Sequence, residues 1–152
     1  MCAAGGFAYD ERPTINNQMA DTFQLEIVTP EKVVVRDAAE EMQVPGKNGY
    51  LGILPGHAPL ITELAVGEIT YRTGSNTHHL AVAWGFGEVL PDKVTILAET
   101  AERADEIDVK RAQEAKQRAE ERLKSGSTEV DYTRAENALQ RAETRLQVAE
   151  KK

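Results

Sequence analysis

The 152-residue sequence predicts an α+β protein, an N-terminal all-β sandwich followed by a C-terminal antiparallel hairpin of two helices. Three observations predict it. From Asp21 to about residue 100, short alternating apolar runs are broken by Gly, Pro, Asn and Asp roughly every 8–12 residues, the rhythm of a sandwich or barrel. After Glu99, glycine and proline nearly vanish and Ala, Glu, Arg, Gln and Lys take over. Beyond that point Arg111, Arg118 and Arg122 stand seven and then four residues apart, and Arg134, Arg141 and Arg145 repeat the spacing. Steps of four and seven keep side chains on one face of a helix.

The elements follow in order. Residues 1–18 carry Gly, Asn and Pro without periodicity and read as a disordered lead. They hold no apolar core of a signal peptide, and Arg12 comes late for one. Met19 is either the natural start or the first ordered residue. The sandwich is expected over residues 19–104. Phe23, Leu25 and Ile27 alternate with Gln24, Glu26 and Val28, a strand with one buried face. Thr29-Pro30-Glu31 breaks it. Lys32 to Arg36 and Glu41 to Val44 are two more strands, the second closed by Pro45-Gly46, and Asn48-Gly49 signals a hairpin turn. Gly and Pro inside the apolar run from Tyr50 to Ile61 exclude a helix and predict strand, tight corner and strand. Glu68 to Arg72 and Thr77 to Trp84 flank the turn Gly74-Ser75-Asn76. Gly85 and Gly87 around Phe86 predict a bulge or a close backbone approach. Glu88 to Leu90, the turn Pro91-Asp92-Lys93, and Val94 to Ala98 form the last hairpin.

The helical hairpin is expected over residues 105–152. Asp105 or Asp108 caps the first helix, whose backbone N–H groups would otherwise be unpaired. It ends near Lys124, with Gly126 suited to a left-handed stop. Thr128 or Asp131 caps the second helix, which runs to about Glu150. Ala112, Ala115 and Ala119 face Ala135, Ala138, Ala142 and Ala149 as a close-packing seam, helped by Leu123, Leu139 and Leu146. Neither helix has apolar area enough to stand alone in water, so the hairpin needs another surface. A solvated helix pair laced with ion pairs would show the same arginine rows.

The net charge is −7, and all of it lies in the first hundred residues, because from Ala101 onward 12 basic residues balance 12 acidic ones. That argues against nucleic acid, which needs a basic face, and against simple adhesion to anionic lipid. Cys2 is the single cysteine, so no disulfide framework or thiolate metal site forms within one chain. No apolar run is long enough to span a bilayer. His78 and His79 point to opposite faces of a strand and cannot jointly hold a metal. Trp84 and Phe86 read as core or subunit-interface residues. Arg122 and Arg134 read as surface ion pairs with Glu121, Glu136 or Asp131. No glycine-rich phosphate loop ending in Lys-Ser/Thr appears, and no Asp/Glu pair is placed for catalytic magnesium.

Four segments together resemble the epsilon subunit family of bacterial F-type (rotary) ATP synthases. They are LGILPGHAPL at Leu51–Leu60, GFGEVLPDKVTILAETAERA at Gly85–Ala104, IDVKRA at Ile107–Ala112, and the arginine-bearing helix ending in RLQVAE at Arg145–Glu150. The resemblance implies a sandwich and a two-helix domain, and a non-catalytic rotor subunit. Its sandwich would sit at the foot of the central stalk, against the gamma subunit and the membrane ring of proton carriers. The helices would fold down on the sandwich or extend to the catalytic alpha/beta head, where they brake ATP hydrolysis. The place implied is the cytoplasmic face of the bacterial cell membrane, as a peripheral component without membrane insertion.

Ile107-Asp108-Val109-Lys110-Arg111-Ala112 is similar to the family's ATP-binding pattern [IL]-D-x-x-R-A. The nucleotide positions it implies are Glu102, Asp108, Arg111, Ala112, Arg118, Arg141 and Arg145, with ATP as a regulatory ligand and no metal required. Arginine suits a triphosphate because its guanidinium fork makes paired, charge-assisted bonds. The subunit-interface positions implied are Tyr50, Leu54, Pro55, Gly56 and His57. His57 by itself is more commonly a polar residue satisfied at a turn. Many family members carry Glu where Tyr50 stands, and Tyr is itself a good interface residue. The alternative is a free-standing β-sandwich adaptor whose helical hairpin docks a protein partner.

Overall fold

A computed structural model describes residues 21–152; the lead at residues 1–18 and the proposed start at Met19 lie outside the described residues. Eight strands come first: β1 (Phe23–Val28), β2 (Val33–Ala39), β3 (Glu41–Gly46), β4 (Gly49–Ile53), β5 (Leu60–Leu64), β6 (Gly67–Thr73), β7 (Asn76–Val89) and β8 (Lys93–Arg103). A 3-10 turn at Ala104–Glu106 leads to the helices α1 (Val109–Lys124) and α2 (Tyr132–Ala149).

The strands form two layers because β7 is long and bent. β5 and β6 lie along the same edge of β7 in one register, Leu64 opposite Gly85 and Gly67 opposite Val82. The bend falls between them, where Trp84 has φ 50 and Gly85 has φ 124. One layer runs β2-β1-β8-β7-β5, using the second half of β7 and the first half of β8. The other runs β4-β3-β6-β7 and continues into the end of β8. β1 lies parallel to β8, while the other ladders are antiparallel. Alternation then does its work. Phe23, Leu25, Ile27, Ile69, Leu80, Val82, Val94 and Ile96 turn inward and form one core between the layers.

Several strand limits differ from the sequence reading. Thr77–Trp84 and Glu88–Leu90 are one strand, with no break at Phe86. The expected close backbone approach is there, at Gly85, where a Cβ would stand 1.9 Å from the Leu97 carbonyl oxygen. β8 continues past Ala98 to Arg103, because its second half has a new partner in the first half of β7.

Both helix caps are aspartates. Asp108 Oδ1 accepts from the Arg111 backbone N–H, and Asp131 Oδ1 accepts from that of Arg134, each at 3.0 Å. Asp105 is instead part of the 3-10 turn, and Thr128 precedes the cap by three residues. Gly126 follows α1 at φ 61. Ala112, Ala119, Ala135 and Ala142 are buried where the helices meet.

The hairpin is folded down on the outside of the second layer, and α2 carries the contact. Val148 and Ala149 pack on Ala81, Ala104 and Ile107. Ala81 can serve there because it faces outward between the inward-facing Leu80 and Val82.

Candidate functional site

At about 100° per residue, Arg111 and Arg118 project from the flank of α1 opposite Lys116. Lys116 reaches Glu143 of α2 at 3.5 Å. Arg141 and Arg145 lie on the flank of α2 opposite Glu143. In an antiparallel pair these two flanks are on one side, so the four arginines line a single edge of the hairpin. It is the edge turned toward the sandwich. Arg145 Nε donates to Glu102 Oε2 of β8 at 2.8 Å, and the Arg141 guanidinium lies over the Trp84 ring of β7, 5.0 Å from its centre.

The seven predicted nucleotide positions therefore converge, in different states. Glu102 and Arg145 are half-buried and paired with each other. Asp108 spends one oxygen on the helix cap, which fixes Arg111 one turn above it. Arg111 and Arg118 are exposed, and among the described residues neither has a carboxylate within 4.0 Å. Ala112 is buried in the seam, where its small size sets how closely the helices approach. A crevice behind α2, lined by Ala81, Ala83, Thr100, Arg141, Thr144 and Arg145, measures only about 10 Å³. A nucleotide has no room there; the accessible ground is the open arginine edge. A roomier cavity of about 410 Å³ lies over Met42, Ile53, Leu54 and Tyr71, and carries none of the seven.

Arg122 and Arg134 do not form the ion pairs expected of them; among the described residues neither has a carboxylate within 4.0 Å. The reason is geometric. Glu121 is one residue from Arg122, and Glu136 two from Arg134, spacings that face apart on a helix. Asp131 has turned to its cap.

Of the predicted interface residues, Tyr50 lies on β4, and Leu54, Pro55, Gly56 and His57 form the corner between β4 and β5. Tyr50 and Leu54 are 54% and 60% exposed. The Tyr50 hydroxyl accepts from the Glu68 backbone N–H at 3.2 Å, which holds the ring over Gly67. Gly56, at φ 82, donates its N–H to the Pro91 carbonyl at 2.8 Å and ties the corner to the β7–β8 turn. His57 Nδ1 lies 2.7 Å from the Ala58 carbonyl. A carbonyl only accepts, so the proton is on Nδ1. His78 and His79 do diverge: His78 stacks on Tyr71, and His79 Nδ1 meets Glu68 Oε1 at 2.5 Å.

Two features escaped sequence reasoning. The first is an apolar row across the outer face of the first layer. Val33 pairs with Val28, Val28 with Leu97, and Leu97 with Phe86, with Ile61 beside them. Leu97, Phe86 and Ile61 are 55%, 57% and 73% exposed. A partial signal was present in Ile96-Leu97-Ala98, three successive apolar residues where strict alternation would turn a polar one outward. The second is Glu68, whose Oε2 takes Lys151 Nζ from beyond α2 at 2.7 Å while Oε1 takes His79. Its two side-chain partners come from separate parts of the chain, and no local spacing announces them.

Comparison with known proteins bears on the chain as a whole. The family model described as ATP synthase, Delta/Epsilon chain, beta-sandwich domain matches residues 22–104, and that of the long alpha-helix domain matches residues 105–150. An ATP synthase epsilon chain from Koribacter versatilis is 74% identical over 107 residues, covering 70% of this chain and 75% of its own. One from Solibacter usitatus is 52% identical over 102 residues, covering 67% and 76%. Among solved structures, a chain of the Euglena gracilis mitochondrial ATP synthase superposes with a TM-score of 0.75 at 21% identity, covering 89% of this chain and 85% of its own. That last likeness is one of fold.

Proposed function

From the premise that the chain belongs to the ATP synthase delta/epsilon family, as a non-catalytic subunit of that complex, we propose that it is a rotor-stalk component whose helical hairpin brakes ATP hydrolysis and is held down by bound ATP. Its sandwich rests on the gamma subunit and the proton-carrying membrane ring, at the cytoplasmic face of a bacterial membrane. The exposed row of Val33, Leu97, Phe86 and Ile61 supports a docked sandwich, because apolar area left in water on that scale suits a permanent partner. No helix among the described residues is long and apolar enough to cross a membrane, which suits attachment through partners.

The observation that carries the regulatory reading is the thinness of the hairpin's seat. Three alanines, one isoleucine and one valine form its apolar part. Burial of that size is worth on the order of a few kcal/mol, from which ordering costs are subtracted. A ligand at a hundred times its Kd adds about 2.7 kcal/mol to the state it prefers. The two quantities are commensurate, so a ligand on the arginine edge can govern whether the hairpin stays down. ATP fits that edge: Arg111 and Arg118 offer guanidinium groups unpaired among the described residues, and Glu102, Arg141 and Arg145 belong to the junction that opening would break. As ATP falls, the hairpin rises along gamma to the catalytic head and hydrolysis stops.

Titration calorimetry of the full chain with ATP tests this. Arg111→Ala is expected to weaken binding at least about tenfold, since charge-assisted bonds are worth about 1.5–3 kcal/mol before exposure reduces them. Arg134→Ala, at the far end of α2, is expected to bind like wild type. Equal affinity of Arg111→Ala and wild type would show the site to be misassigned. In the assembled complex, inhibition insensitive to Arg111→Ala would leave the site and remove the mechanism.

A further inference from the structure

Trp84 stands at the corner where β7 passes from one layer to the other. It is the single non-glycine residue at positive φ among the described residues. A bulky side chain is strained in that region. Strain of this kind persists at ligand clamps more often than in plain scaffold. The indole is not a core residue: it is half-buried, on the side where α2 docks, and its contact there is Arg141.

The two α2 arginines at the junction are held by opposite means. Arg145 is neutralised by Glu102 at 2.8 Å. Arg141 has no carboxylate within 4.0 Å among the described residues, and its guanidinium lies over an aromatic ring instead. The difference is chemical. A carboxylate occupies the N–H edge of a guanidinium and cancels its charge. An indole takes the flat face, leaving the charge and the edge donors available. A polyphosphate needs those donors.

We propose that Trp84 is a positioning residue of the nucleotide site: its ring holds the Arg141 guanidinium at the hairpin–sandwich junction without cancelling its charge, with N–H donors left for an ATP phosphate. This rests on the ATP-binding reading above. It also assigns the sandwich, through Trp84, a share in recognising a ligand held mainly by helices.

Trp84 is the only tryptophan of the chain, so its emission reports the site directly. In the full chain, ATP is expected to change that emission with the same midpoint as the calorimetric heat. Trp84→Leu keeps an apolar side chain without the ring face and is expected to weaken ATP about tenfold, the scale of a partly desolvated cation–π contact. Trp84→Phe restores a ring and is expected to recover most of the loss. Arg141→Lys keeps the charge and the helix but loses the guanidinium over the ring. It is expected to shift Trp84 emission without ATP and to weaken ATP binding. Joined with Trp84→Leu, it should cost little more than the larger single loss.

ATP binding by Trp84→Leu at wild-type affinity, or losses that add in the double variant, would overturn the role of Trp84 while leaving the nucleotide site standing. Wild type giving neither heat nor an emission change would overturn the site and this role together. Should Trp84→Leu fail to fold, Arg141→Lys decides in the intact sandwich: unchanged emission and unchanged affinity refute the proposal.

Discussion

Glu68→Gln should loosen the hairpin without disturbing the sandwich. Glu68 lies on β6 with its side chain 17% exposed, and each carboxylate oxygen has one partner. His79 Nδ1 is 2.5 Å from Oε1, and Lys151 Nζ is 2.7 Å from Oε2. Lys151 follows α2, so its bond joins hairpin to sandwich; His79, on β7, steadies the carboxylate from below. Glutamine preserves the shape and one acceptor but removes the charge. A charge-assisted bond is worth about 1.5–3 kcal/mol when well buried and nearer 0.2–1 kcal/mol at the surface. Lys151 is 47% exposed and the carboxylate is not, so a value of about 1 kcal/mol is expected, roughly a fivefold fall in the docked-to-undocked ratio.

Amide hydrogen exchange along residues 141–149 measures that ratio, since these amides are protected by the docked helix. Exchange there should accelerate by about the same factor in Glu68→Gln, while β1 and β8 stay unchanged. Lys151→Gln should reproduce most of the effect, and high salt should shrink the difference between wild type and either variant. Unaltered exchange in both variants would refute the view that this contact holds the hairpin.

Two further outcomes are expected. Gly85→Ala should destabilise the sandwich by about 2 kcal/mol or more in urea unfolding, because φ is 124 and the new Cβ would meet the Leu97 carbonyl oxygen at 1.9 Å. Tyr71 is buried and donates to Asp37 Oδ2 at 2.8 Å, and burial first, then that bond, pushes its phenol up from 10.0. A raised folded-state value favours the neutral phenol on folding. Its contribution is therefore fully present below pH 10 and lost as pH climbs toward the folded value. Tyr71→Phe should remove that alkaline loss from a stability–pH profile and cost about 1 kcal/mol at neutral pH.

What the sequence determined by itself is whatever neighbours along the chain decide. The strand alternation of Phe23, Leu25 and Ile27 put one face inward. Asp108 and Asp131 capped the helices because a carboxylate three residues before an unpaired N–H needs no distant help. The seven-and-four spacing set the arginines on one flank, and the glycine beside Trp84 marked the close approach. The tertiary structure decided everything that depends on which distant backbone lies alongside. β8 ran past Ala98 because β7 lay there to pair it. Val28, Leu97 and Phe86 became one row only when three strands fell into register. Among the described residues, Arg122 and Arg134 stayed unpaired where composition promised partners. Trp84 met Arg141, and Glu68 met Lys151 across 83 residues, because the hairpin folded down on that face. Local spacing specifies direction from a helix or strand; which group waits in that direction is fixed by docking, and docking energy comes from surfaces the chain brings together only once folded.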